Sequence, residues 1–113
     1  MSTGADELRA KMAQIAGRYI ERVTRELVQL QGLVEDATGG NLEVVREIEG
    51  LAHRMHGSGA MLQFDEISGC AGELERLAAG CVASGTIDQP RMVEVLGKLQ
   101  AAIEREIAHR SAS

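Results

Sequence analysis

His53 and His56 stand three residues apart in the stretch Ala52-His53-Arg54-Met55-His56-Gly57-Ser58-Gly59-Ala60. An unprotonated imidazole nitrogen is a nucleophile. An exposed imidazole, with a reference pKa of about 6.5, is mostly neutral at pH 7 and needs no general base to attack an electrophile. Two histidines at i and i+3 also suit a shared metal ion. A di-iron site in a helix bundle, however, uses Glu-x-x-His, and the position three before His53 is Gly50. No second His or Cys pair has the spacing of zinc ligands.

With Ile48 at the centre of a buried helical stripe and a turn of 100° per residue, His53 falls about 140° away, on the solvent side. Arg46 and Gly57 lie close to it around the helix, and Gly50 and Ala60 are not far off. His56 is one turn on and only partly outward, and Arg54 leans the other way. Glycine inside a helix costs about 1 kcal/mol relative to alanine, so Gly50, Gly57 and Gly59 together cost on the order of 3 kcal/mol. Gly59 points inward, where it suits close helix packing. Gly50 and Gly57 point outward, where their use is to clear space around His53. Spacing alone reads most simply as a solvated surface histidine; the glycine surround is what favours function. The candidate site is therefore His53 as the reacting group, with His56, Gly57, Arg54, Gly50 and Arg46 around it. Gly69 and Gly72 in the following segment thin the adjoining wall. His109 is a favourable charge near a helix C-terminus.

Four amphipathic segments must position these residues. The first spans about 5–35, with Leu8, Met12, Ile15, Tyr19, Val23, Leu27, Leu30 and Val34 in steps of three and four. Asp6 and Glu7 favour its start, and a break near Gly17 or Gly32 is the alternative to one continuous helix. Thr38-Gly39-Gly40-Asn41 ends it, with Asn41 as the next N-cap. The second spans about 42–62, with Val45, Ile48, Ala52, Met55, Gly59 and Leu62 inward. The third spans about 65–83, with Ile67, Cys70, Leu74, Leu77 and Cys81 inward, and stops at Ser84-Gly85. Asp88 caps the fourth, about 89–109, where Pro90 falls in the first turn; Met92, Leu96, Leu99, Ile103 and Ile107 face in. The tail from Arg110 to Ser113 is expected to fray. Long helices with short connections predict an all-α, antiparallel up-down-up-down four-helix bundle forming a single domain over 1–113.

Composition excludes several classes. A net charge of −5 and an aromatic content of 2% oppose binding to a nucleic-acid backbone or stacking on single strands. No apolar run reaches membrane-spanning length, and no signal peptide is evident at the N-terminus. Cys70 and Cys81, eleven residues apart on one helix, are separated by roughly 16 Å along its axis, beyond the ~7 Å that a disulfide tolerates. Unpaired thiols fit a cytoplasmic protein.

The stretch from Ala52 to Ala60 resembles the signature of histidine phosphotransfer (HPt) domains of bacterial two-component phosphorelays. That signature has a small residue, the phosphorylated histidine, two residues of which the second is apolar, commonly lysine, then glycine and serine or alanine. Phe64, Ile67, Cys70 and Glu73-Leu74-Glu75-Arg76-Leu77 continue the likeness, which covers about Leu51 to Leu77. Two positions depart from it: His56 replaces the usual lysine, and Gln63 replaces a usual glycine before the third helix. The resemblance implies a phosphocarrier without catalysis of its own, with His53 as the acceptor. Its partners would be a response-regulator receiver domain or a hybrid histidine kinase, and any Mg²⁺ would sit on the receiver. His56 is then the expected neighbour of the phosphate, and a monomer is expected. An adaptor that binds a receiver without carrying phosphate is the alternative.

Overall fold

A computed structural model describes residues 3–38 and 40–112, with the side chain of Ala112 left aside. Residues 1, 2, 39 and 113 lie outside the described part. They include Gly39 of the expected first turn and Ser113 of the expected frayed tail. The chain forms α1 (Gly4–Asp36), α2 (Leu42–Met61), α3 (Asp65–Ser84) and α4 (Gln89–Ala112). Among the described residues there is no strand. Each helix packs on two neighbours, α1 on α2 and α4, and α3 on α2 and α4, with α2–α3 the most extensive seam. This is the expected four-helix bundle.

Local chemistry sets the boundaries. At the start of α1, Thr3 and Asp6 form a reciprocal capping box: the Asp6 N–H donates to Thr3 Oγ1 at 3.2 Å and the Thr3 N–H to the Asp6 carboxylate at 3.3 Å. Asn41 Oδ1 accepts from Val44 N–H at 3.4 Å, and Asp88 Oδ1 accepts from Arg91 N–H at 3.2 Å. Gly85, at φ 76°, closes α3 in the left-handed conformation. The α2–α3 turn does the same with a less suitable residue. Gln63 has φ 64°; its N–H reaches the Ala60 carbonyl at 3.2 Å, and the Phe64 N–H reaches that of Gly59 at 2.8 Å. This is the two-bond Schellman closure with glutamine where glycine is easier, at a cost of roughly 1–2 kcal/mol.

The core is aliphatic, with Leu30, Ile48, Met55, Ile67, Leu74 and Leu99 among the fully buried side chains. Cys81 is buried and Cys70 half-buried, both as free thiols; burial first, then Glu73, raises the Cys70 pKa.

Three expectations are corrected. The apolar stripe of α1 is buried only from Tyr19 onward, while Leu8, Met12 and Ile15 are exposed. A helix of 33 residues is about 50 Å long and outreaches its neighbours, in a molecule whose long axis is 61 Å. Ile107 is likewise left partly exposed near the far end of α4. The tail is helical through Ala112, and Arg110 Nη2 donates to the Ala13 carbonyl at 3.3 Å. Gly17 lies beside this contact, and a Cβ there would touch Arg110 Nη2 at an ordinary 3.4 Å. Helix α1 is continuous through Gly17 and Gly32.

Candidate functional site

The buried stripe of α2 is Val45, Ile48, Leu51, Ala52, Met55 and Gly59, which leaves His53 on the outer surface. Its side chain is 70% exposed, and its Nδ1 lies 2.6 Å from Glu75 Oε2 on α3. An ionised carboxylate only accepts hydrogen bonds, so the shared proton sits on Nδ1 and Nδ1–H donates to Glu75. The lone pair is then on Nε2, which has no hydrogen-bond partner among the described residues. One carboxylate thus fixes both the tautomer and the plane of the ring, with the free nitrogen at the opposite edge.

His56 is placed differently from expectation. Its ring is half-buried and turned toward α3, where Nδ1–H donates to the Ser68 carbonyl at 2.8 Å. Ser68 Oγ, a buried hydroxyl, donates to the His56 carbonyl at 2.9 Å. The ring rests on Gly72, where a Cβ would come within 2.9 Å of Nδ1 and 3.0 Å of Cε1. His56 therefore joins α2 to α3, and only Nε2 remains for any further partner. Gly72 admits this ring, while Gly69 faces open space.

Tyr19 anchors α2 from the α1 side. Its hydroxyl donates to the Met55 carbonyl at 3.0 Å, and its ring stacks on Phe64 at 5.1 Å. Gly59 permits this approach, because a Cβ there would lie 2.7 Å from the phenolic oxygen. Burial pushes the Tyr19 phenol up to about 12, outweighing the lowering effect of Arg22.

Gly57 is exposed, with nothing near the position of a Cβ; at Gly50 a Cβ would meet only Arg54 Nη1, at 3.7 Å. The missing side chain of Gly57 leaves open a groove of about 540 Å³ between α1 and α2, lined by Arg22, Glu26, His53, Arg54, Gly57, Ser58 and Met61. Arg46 and Gly50 line a neighbouring groove with Arg54 and Glu26. The structure thus brings His53, Arg54 and Gly57 together, sets Arg46 and Gly50 alongside, and turns His56 away toward α3. Among the described residues, no three His, Cys, Asp or Glu side chains are grouped to hold a metal ion. No helix there is long and apolar enough to cross a membrane.

Glu75, Arg22 and Glu26 are site residues that sequence reasoning missed. A signal for Glu75 existed: His53 lies eleven residues before Phe64 and Glu75 eleven after it, and His56 and Gly72 are each eight away. An antiparallel pair folded at Phe64 places such residues opposite one another. Arg22 and Glu26 come from α1, which joins α2 through the five-residue connection 37–41 rather than the three-residue turn 62–64, so its register against α2 is harder to count from sequence.

The family model described as the Hpt domain matches residues 6–109. No curated protein and no solved structure matches the chain.

Proposed function

The chain belongs to the Hpt domain family, and on that premise we propose that His53 carries the phosphoryl group. It would accept the group from the aspartyl phosphate of a receiver domain or hybrid histidine kinase and pass it to a receiver aspartate. Hpt domains serve phosphorelays as carriers rather than catalysts. The observation that carries the assignment is the pairing of an exposed imidazole with Glu75 at Nδ1, 2.6 Å away.

In the forward step the Nε2 lone pair forms the N–P bond while the acyl P–O bond of the aspartyl phosphate breaks, and the bonding pair leaves with the carboxylate. The ring gains positive charge as the bond forms, and Glu75 stabilises it through the Nδ1 proton. The return step reverses these events. Such transfer depends on in-line alignment and charge neutralisation more than on covalent help from the protein. The chain's part is a rigid mount and a cleared approach at Gly57. The receiver would bring the Mg²⁺ and the reacting aspartate. We place the protein in the cytoplasm, acting as a monomer.

Incubation with a phosphorylated receiver domain, followed by intact mass measurement, tests this. One acid-labile phosphoryl group is expected on the wild type and none on His53→Gln, with helical content unchanged. Receiver binding without a mass gain would mark an adaptor instead, and label on His56 or His109 would remove His53 from its role.

A further inference from the structure

Arg22 lines the α1 wall of the groove in which His53 lies. Its guanidinium sits over the Tyr19 ring, 5.2 Å from the centroid. Its Nε is 3.6 Å from Glu26 Oε1, beyond hydrogen-bond length. Arg22 Nε and Nη2 and Glu26 Oε1 are all buried, and none makes a hydrogen bond among the described residues. Desolvated donors without acceptors are costly and rare in folded proteins. The side chain as a whole is nevertheless 43% exposed, so its head has freedom to turn. Gly57, with open space where a side chain would stand, leaves the groove clear beside His53.

We propose that Arg22 is the cation that meets the phosphoryl group once His53 carries it, turning from its loose contact with Glu26 to the phosphoryl oxygens. The inference rests on the phosphocarrier reading of His53 and assigns the charge partner within that site. The other charged groups around the histidine argue for Arg22. Glu75 of α3 and Glu26 of α1 are anionic and would repel a phosphate. His56 is turned toward α3, with its Nδ1 committed to Ser68 and its ring against Gly72, and does not line the groove. Arg54 is exposed and lies near Gly50, and Arg76 of α3 has its Nη1 near Gly72. Arg22 alone among the charged groups lining that groove brings buried donors that lack an acceptor.

The test uses the full chain and a small donor, so that it needs no cognate partner. With phosphoramidate, Nε2 of His53 forms the N–P bond, the P–N bond of the donor breaks, and ammonia leaves. Phosphorus NMR then follows the titration of the attached phosphoryl group, with His53→Gln identifying its resonance. A guanidinium close to the phosphate favours the dianion. Arg22→Gln is therefore expected to move the titration upward by about one pH unit, and further than Arg54→Gln does, while Arg22→Lys stays near the wild type. In the wild type, the Arg22 Nε–H signal is expected to shift on phosphorylation, which provides a readout independent of how well any variant folds. An unmoved titration in folded Arg22→Gln, or an unmoved Nε–H signal in the wild type, would overturn the role of Arg22. A wild type that takes no phosphoryl group at His53 would instead overturn the phosphocarrier reading itself.

Discussion

Glu75 and His53 face each other across the α2–α3 seam, with Oε2 2.6 Å from Nδ1, so that one edge of the imidazole is held by the protein and the other is left to a partner. Glu75→Ala releases the ring to rotate and to exchange tautomers. Phosphoryl acceptance from a receiver is expected to slow by about tenfold or more, the scale on which carboxylates that orient metal-ligating histidines act. Glu75→Gln keeps an acceptor oxygen and should lose less. Rapid-quench measurement of transfer rates in the two variants separates them; equal rates in the Glu75→Ala variant and the wild type would show that the contact does not orient the ring.

Gly57 is exposed in mid-helix, with no neighbour near a Cβ position. Gly57→Leu should raise stability by up to about 1 kcal/mol through helix propensity while placing a side chain in the path to His53. The expected outcome is an equal or higher Tm together with strongly reduced receiver binding, read by calorimetry and titration. Retained binding would place the docking face elsewhere.

His56 and Gly72 form a lock between α2 and α3. Gly72→Ala forces a methyl group against the His56 ring, with an expected loss of about 1–3 kcal/mol. His56→Ala removes the hydrogen bond to Ser68, with an expected loss of roughly 1–2 kcal/mol. The double variant should be less destabilised than the sum, because the small side chain at 56 relieves the crowding at 72. Denaturant unfolding of the four proteins completes the cycle, and strict additivity would rule the lock out.

Tyr19 gives the bundle an alkaline limit. Its phenol titrates at about 12 in the folded chain, against an ordinary 10.0. Between those values the unfolded chain has released a proton that the folded chain keeps, so stability falls as pH rises through this window. Tyr19→Phe should lose about 1 kcal/mol at neutral pH with its bond to Met55, and should show a flatter decline between pH 10.0 and about 12. Parallel slopes for the two proteins in urea unfolding would contradict the buried phenol.

The helices were legible in the sequence because their ends carry explicit chemistry: Asn41, Asp88 and Gly85 do in the structure what their residue types suggest. Gln63 likewise takes the strained turn conformation that its position implied. The exposed end of α1 was not legible. Leu8, Met12 and Ile15 continue an unbroken apolar rhythm, but periodicity marks a face and says nothing of whether a neighbour extends far enough to cover it. The site was legible where it depends on α2 alone, as with the outward His53 and Gly57. It was not legible where it depends on a second helix. His56 sits at the edge of the buried stripe, where a helical wheel cannot choose between solvent and α3, and the choice is made by Ser68 and Gly72 across the seam.

The three glycines of α2 have a consequence for how the histidine is presented. A segment weakened at Gly50, Gly57 and Gly59, by on the order of 3 kcal/mol, is a poor helix in isolation, and it is held in shape by Tyr19, Ser68 and the packed faces of α1 and α3. The pairing of His53 with Glu75 exists only when that closure is complete. A nascent or damaged chain displays the same imidazole on a slack thread, without a fixed tautomer or the groove beside it. Signal fidelity is thereby tied to quality of folding: a molecule that has not closed its bundle is a poor receiver of the message, and needs no separate device to keep it silent.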